Sequence, residues 1–436
     1  MSALTGWGRF PVVEAEVRSG ERLDRLTEDA ILSRGLGRAY GDAALPPAPI
    51  TGPVVRTPLA DRFLAFDDRT GVLRAEAGVS LQHLMRTFLP RGWFTPVSPG
   101  TQYVTLGGMV ASDIHGKNHH VHGTFGKHVQ RLTLRVGTGD VITCSRDEHA
   151  DLFYATLGGM GLTGHILEVE VALERLPSPW IHEESVRFDS LREVYTDLTD
   201  ASADWPMTVS WVDTSARGDQ LGRGIVMKGR WAEPDEAPSE LPGYRRAPAV
   251  PDILPGWLMN RFSVRAMNAA YHWLHGAQPK QHVVGPEAFY YQLDLLREWN
   301  RGYGQNGFTQ YQCVLPRDPS LAEDFLRLFQ NVGGCSFVTV FKDCGPEGEG
   351  MLSFPKEGTT VALDIPMSAR VPGMVRELNA FVIGHGGRVY LAKDAFTTAD
   401  EFRRMYPRLD EFLAVRETYD PDRRITSALG VRLMGW

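Results

Sequence analysis

Apolar positions along the chain follow two rhythms. Residues 71–78, Gly-Val-Leu-Arg-Ala-Glu-Ala-Gly, alternate apolar with polar, as do 131–136 and 166–173. A period of two predicts half-buried strands. Leu81, Leu84, Met85 and Phe88 recur at helical spacing behind Ser80, which predicts a helix capped by that serine. A second helical pattern covers 151–157. Before residue 165 the glycines gather in tight groups between short apolar runs, as where Ala30-Ile31-Leu32 leads into SRGLGRAYGD (33–42). Beyond Pro177 and Pro179 helical stretches lengthen and glycine clusters thin. Segments 308–315, 336–341 and 361–365 read as antiparallel strands, and the last part returns to a strand (388–392) and a helix (398–405). The expected class is α+β. A first domain is split into 1–176 and 388–436, with an α+β domain built on an antiparallel sheet, 177–387, inserted between.

Composition narrows the function classes. With 436 residues, 43% apolar and 23% charged, the chain suits folded domains rather than disorder. Net charge is −7, from 46 Lys+Arg against 53 Asp+Glu, and no basic stripe suits a nucleic acid. Four cysteines, Cys144, Cys313, Cys335 and Cys344, form no CxxC pair. No run of 18 apolar residues is found, and the first residues lack a charged start followed by an apolar stretch. The expectation is a protein without a spanning helix or signal peptide.

Two glycine clusters invite a dinucleotide-binding reading and fail on context. Gly35-Leu-Gly37-Arg-Ala-Tyr-Gly41 is followed by DAALPPAPITGP, too rich in proline for the helix that motif requires. Gly159-Met-Gly161-Leu-Thr-Gly164 has its helix before and its strand after, the reverse of the required order. A glycine loop can still hold a diphosphate on successive backbone N–H groups, with Arg34 and Arg38 adding charge-assisted bonds. The other reading is a turn with two solvated arginines. A third cluster, 98–129, holds six glycines and five histidines and is too long for a mere connection. Its histidines, His115, His119, His120, His122 and His128, follow no HExxH pattern, and the glycines around 115–119 argue against a helix there. Hydrogen-bonding or ligand-facing roles are favoured over a metal site.

SRGLGRAYGD, the SPGT…TLGG…SDIHGKNHH block and LGGMGLTG together resemble the PCMH-type FAD-binding fold of the vanillyl-alcohol oxidase superfamily. FTQYQCVLP (308–316), SFVTVFKDCGP (336–346), LSFP (352–355), GGRVYLAKD (386–394) and YPRLDEFLAVRETYDPDRR (406–424) extend the likeness to the decaprenylphosphoryl-β-D-ribose 2′-oxidase family over most of the chain. The resemblance implies a two-part FAD domain under an inserted substrate domain. It also implies a flavoprotein oxidoreductase that takes a hydride from the 2′-hydroxyl carbon of a polyprenylphosphoryl ribose. A separate short-chain ketoreductase would complete epimerisation to the arabinose lipid. FAD oxidation of another sugar or alditol by dioxygen, or a flavin-binding scaffold without turnover, would use the same cofactor loops.

By position, the resemblance carries FAD onto Ser33, Arg34, Gly35, Leu36, Gly37, Arg38, Ala39, Tyr40, Gly41, Asp42 and Ala43. Gly100, Thr105, Leu106, Gly107 and Gly108 follow, then Ser112, Asp113, Ile114 and His115, and finally Ile166 and Tyr390. Arg38 stands about where related sugar oxidases carry a flavin-linking histidine, and no cysteine lies near TLGG, so non-covalent FAD is expected. Lys393, His115 and Tyr40 are the catalytic candidates. Lys117, Tyr290, Arg301, Gln310, Gln312, Lys342, Thr360 and Ala362 are the substrate candidates. Gln310 and Gln312 share one strand face, with Tyr311 facing the other way. Some family members carry cysteine and asparagine where this chain has Ala362 and Thr360, which bears on substrate fit. Residues 250–275 form an amphipathic stretch, suited either to peripheral contact with the cytoplasmic membrane or to packing on its own domain.

Overall fold

The computed structural model describes residues 1–49, 52–244, 247–276 and 280–435. Its described residues form five sheets, two of them large. The period-two segments form a five-stranded antiparallel sheet ordered Val141–Ser145, Val129–Arg135, His165–Ala172, Val72–Glu76 and Phe63–Asp67. Their apolar residues enter one core with the helix Leu81–Phe88, whose Leu81, Leu84, Met85 and Phe88 are all buried. Ser80 caps that helix, its Oγ accepting from His83 N at 3.1 Å. A three-stranded parallel sheet, Val17–Ser19, Val54–Arg56 and Leu32–Arg34, delivers the chain into the first glycine loop.

An eight-stranded antiparallel sheet takes seven strands from residues 181–366 and its eighth, Arg388–Val389, from the segment 388–436 expected to complete the first domain, because that strand pairs with Phe308–Leu315. Its order is Gln281–Val284, Ile181–Phe188, Gly224–Trp231, Met207–Val212, Thr339–Cys344, Gly358–Pro366, Phe308–Leu315 and Arg388–Val389. The register sets Gln310 opposite Asp364 and Gln312 opposite Ala362, with Val340 opposite Ala362 and Lys342 opposite Thr360 on the other side. Alternation therefore gathers glutamines, lysine, threonine and aspartate on one face. Tyr311 points the other way, donating its OH to Asn379 Oδ1 at 2.9 Å. The helices Leu191–Ala201, Pro319–Asn331 and Val371–Gly384 pack against this sheet and against one another.

Three local expectations change. The strand expected over 336–341 runs Thr339–Cys344, because Ser336 and Phe337 carbonyls are taken by Thr214, Asn268 and Trp211 side chains. The strand expected over 388–392 ends at Val389, and Lys393 N closes a tight turn on Tyr390 O at 3.0 Å. The carbonyl of Ala392 is instead accepting from Tyr40 N at 2.9 Å, which draws the chain away from the sheet. The histidine segment contains one helical turn, His119–His122, ended by Gly123 at φ +69°.

The last residues close back on the first part. Thr426 N donates to Ile31 O (2.9 Å) and Ala428 N to Leu45 O (2.8 Å). Arg432 joins three segments: Nε and Nη2 reach Asp42 at 2.8 Å each, and Nη1 reaches Asp394 Oδ2 at 2.9 Å. Both carboxylates are buried. Removing one partner of a buried ion pair strands the other charge. Arg432→Met is expected to lower the unfolding free energy by about 3 kcal/mol in urea titrations of the flavin-loaded protein; an unchanged midpoint would contradict the role of this clamp.

Candidate active site

Between the two halves lies a cleft of about 1760 Å³, open solvent at its mouth included. Its floor is glycine backbone. Gly35 faces Thr105 so closely that a Cβ would stand 2.4 Å from Thr105 Oγ1, and one at Gly107 would stand 3.0 Å from Ala77 Cβ. Gly37 takes φ +69°, a left-handed conformation that glycine adopts without cost. Thr105 caps the short helix Leu106–Ala111, accepting from Gly108 N at 3.3 Å. Ser33, Leu36, Ala39 and Ala43 line the same floor, with Gly100, Ser112, Ile114 and Ile166. Gly161 and Gly164, which did not figure among the expected cofactor residues, line it as well.

The two loop arginines part company. Arg38 lines the cleft, stacks 3.7 Å over the Trp7 ring, and has a buried Nε without a partner among the described residues. Arg34 sits behind the loop, where its guanidinium donates to Thr5 O (2.6 Å) and Ala44 O (2.9 Å). Gly41 and Asp42 also support from behind, since a Cβ on Gly41 would fall 1.9 Å from Asp394 O. Leu106 is in the core, and Asp113 accepts from Gly126 N at 2.8 Å and from Ser353 Oγ. Burial lifts the Asp113 carboxyl to about 6. Tyr390 lines the cleft and donates to Ser112 O at 2.9 Å.

The roof is the polar face of the eight-stranded sheet. Gln310, Gln312, Lys342, Thr360 and Ala362 all line the cleft. Gln312 Nε2 lies 2.9 Å from His115 Nε2 and 3.3 Å from Thr360 Oγ1. Burial, then the nearby Lys342, His119 and Lys393, hold His115 neutral by pushing its pKa well down. Lys393 enters from the far end, its Nζ 3.7 Å over the ring of Tyr40. Burial brings Lys393 down to about 7, against the opposing pull of Asp364, and Lys342 is lowered by burial too. Tyr40 packs edge-on against Phe308 at 5.6 Å, and its phenol is raised by burial and stays protonated.

Asp364, absent from the expected residues, is the carboxylate that answers these cations. It accepts from Gln310 Nε2 (2.6 Å) and Tyr303 OH (3.0 Å), and burial raises it to about 7. A lone aspartate inside the apolar run VALDIP was the available signal. Three expected substrate residues lie outside the cleft lining. Lys117 is buried against Phe289, donating to its carbonyl with Nζ 4.2 Å from the ring centroid, and desolvation, with Lys342 adding to it against the pull of Glu183, lowers its ammonium to about 7. The Tyr290 hydroxyl meets Met207 sulfur at 3.1 Å, and Arg301 donates to Val250 O at 3.2 Å. Three of the remaining four histidines meet backbone: His119 Nδ1 accepts from Gly345 N at 3.1 Å, His120 Nε2 lies 2.9 Å from Trp205 O, and His128 Nε2 lies 2.9 Å from His122 O.

These residues fit FAD. Two glycine surfaces leave room for a diphosphate, an unsatisfied buried arginine nitrogen lies beside them, and a polar sheet face closes over the far end. Residues 11–145 match the FAD binding domain family, and residues 361–432 match the D-arabinono-1,4-lactone oxidase family. The chain is 37% identical, over 99% of its length and 97% of the relative's, to decaprenylphosphoryl-beta-D-ribose oxidase of Mycolicibacterium smegmatis. An uncharacterized protein of Streptomyces coelicolor is 33% identical over 81% of this chain and 100% of its own length. Cytokinin dehydrogenase 5 of Oryza sativa subsp. japonica shares 34% identity over 31% of this chain and 23% of its own. The full-length likeness, together with a glycine-floored cleft roofed by a polar antiparallel sheet, shows that the chain is an FAD-dependent oxidoreductase belonging to the decaprenylphosphoryl-β-D-ribose oxidase family.

Proposed function

We propose that the protein oxidises the 2′-hydroxyl of a polyprenylphosphoryl-β-D-ribose to the 2′-keto sugar. The observation that carries this reading is the meeting of Lys342, Lys393 and neutral His115 with two glutamines opposite the glycine floor. A phosphate ester of a polyol supplies one anion and several hydroxyls, the complement of that set. FAD, when bound, supplies the two-electron acceptor for the hydride leaving the hydroxyl-bearing carbon. Ser33, Gly35, Gly37, Thr105, Gly107 and Gly108 would hold its diphosphate, and Tyr390 and His115 would border its ring. The chain's own task is position and proton transfer. Lys393 Nζ takes the hydroxyl proton, and Tyr40 beneath it fixes its approach. Burial lowers the pKa of that amine and Asp364 pulls it back towards the charged form, and Gln312 and Thr360 orient sugar hydroxyls. The keto product needs a reductase that returns a hydride to the opposite face, so a separate ketoreductase is the natural partner. Among the described residues no helix is long and apolar enough to cross a membrane, and a prenyl-linked substrate calls for peripheral contact with the membrane that holds it.

Three measurements test this reading. Acid precipitation of the yellow protein should release the chromophore to the supernatant, because Arg38 cannot form the link a histidine would; colour retained in the pellet would refute dissociable FAD. Anaerobic mixing with a polyprenylphosphoryl ribose should bleach the flavin, with the keto sugar identified by mass spectrometry, and Lys393→Ala should lose bleaching at least a hundredfold while staying yellow. The bleaching rate should rise with pH through about 7, since the amine accepts a proton only when neutral and its pKa stands there. In Asp364→Asn the loss of a nearby negative charge should move that rise down by roughly one pH unit; an unmoved profile would remove Asp364 from its role.

A further inference from the structure

Exposed apolar side chains are concentrated in one stretch of the chain. Ile253 (84% exposed), Trp257 (73%), Phe262 (82%) and Trp273 (70%) all lie within it, with Leu258 and Leu274 beside them in sequence. The helix Arg261–His275 explains why. Asn260 caps it, accepting from Phe262 N and Ser263 N, yet it buries only Val264, Asn268 and His272. A helix packed on its own domain hides a wide apolar stripe. This one hides a narrow, partly polar stripe and turns its phenylalanine and tryptophan outward.

The charge in this stretch has one sign. In a protein with 53 Asp+Glu and a net charge of −7, residues 253–286 contain no acidic residue. Arg261 and Arg265 stand exposed on the helix, to one side of the face that carries Phe262 and Trp273. Aromatic and leucine side chains flanked by arginine, without acid, match the headgroup boundary of an anionic bilayer. A second copy of the chain would have to bring complementary carboxylates to the same ridge.

The ridge is also fixed to the cleft. Gly256 packs on Gly304 so closely that a Cβ on Gly304 would stand 2.5 Å from it. Met259 packs into the cluster of Tyr40, Tyr303, Phe308 and Trp299. Tyr40 and Trp299 line the cleft on their other side. The wall that borders the reacting end thus carries the outward ridge on its back.

From these observations we infer that Ile253, Trp257, Phe262 and Trp273, with Arg261 and Arg265, form a docking surface for an anionic lipid bilayer that holds the cleft against the membrane. What the bilayer delivers there rests on the function proposed above; the docking itself does not.

Flotation of the flavin-loaded protein with vesicles of phosphatidylglycerol and phosphatidylcholine in equal parts tests this. The parent should float with these vesicles and much less with phosphatidylcholine alone. Arg261→Gln and Arg265→Gln should each weaken partitioning about fivefold. Trp257→Glu/Phe262→Glu/Trp273→Glu should abolish it while flavin absorbance and melting temperature stay at parental values. A parent that does not float, or a triple variant that floats equally, overturns the inference. So does a parent that is dimeric by light scattering while the triple variant is monomeric and vesicles are ignored, since the ridge then joins two copies. Bleaching by a detergent-dispersed polyprenylphosphoryl ribose separates the two claims. Bleaching without flotation leaves the function and removes the docking, and flotation without bleaching does the reverse.

Discussion

The active geometry depends on backbone meeting backbone between the first glycine loop and the turn that carries Lys393. Tyr40 N bonds Ala392 O at 2.9 Å, and Gly41 lies against Asp394 O where no Cβ could stand. That contact, with the packing of Tyr40 on Phe308 and Trp299, sets the Tyr40 ring beneath Lys393 Nζ. Arg432 then ties both segments through two buried carboxylates, Asp42 and Asp394. Such pairs lose much of their Coulomb attraction to desolvation, so their main yield is a fixed arrangement. Three distant parts of the chain become one rigid unit around Tyr40 and Lys393, and the proposed oxidation would need its hydroxyl closely aligned there.

Above that unit the electrostatics are deliberately unbalanced. Burial depresses Lys342, Lys393 and His115, and Lys342 depresses the other two further. Asp364 is shared among Gln310, Tyr303 and the field of Lys393, and its own carboxyl is raised toward neutrality. A set of cationic groups held with less than full compensation is costly in the free protein and is relieved when an anion enters. The same desolvation that brings Lys393 down to about 7, where the proposed proton transfer would draw on its neutral amine, makes its surroundings receptive to an anion. Affinity and basicity therefore have one origin, and neither changes without the other.

Much of this was legible in the sequence because it is local. Period-two alternation gave the strands, and on Phe308–Leu315 it put Gln310 and Gln312 on one face before any neighbour was known. Close-set glycines marked the floor at Gly35, Gly37, Gly107 and Gly108. What escaped was set by partners far along the chain. Arg34 and Arg38 look alike in SRGLGR, but Thr5 and Ala44 carbonyls claim the first and leave the second facing the cleft. Arg432 lies 390 residues from Asp42, and no local pattern announces the clamp. Lys393 reads as the end of a strand, but the glycine loop captures Ala392 O and turns it into a corner. Lys117, within a motif full of ligand-like residues, is drawn to the Phe289 carbonyl, which satisfies it without a ligand.

The aromatic cluster around Tyr40 shows how one packing unit serves two solvents. Tyr303 stacks on Phe308 at 4.1 Å, Tyr40 meets Phe308 edge-on, and Trp299 bridges Tyr40 to Trp7. Edge-to-face and stacked rings resist sliding better than aliphatic contacts do, because each shift loses a favourable quadrupole alignment. The hydroxyl of Tyr303 is further pinned by Asp364. Motion of the segment from Gly256 to Met259 relative to Lys393 would therefore have to break ring contacts and a buried hydrogen bond together. The outward ridge and Lys393 share a rigid wall, so the orientation of one fixes the orientation of the other.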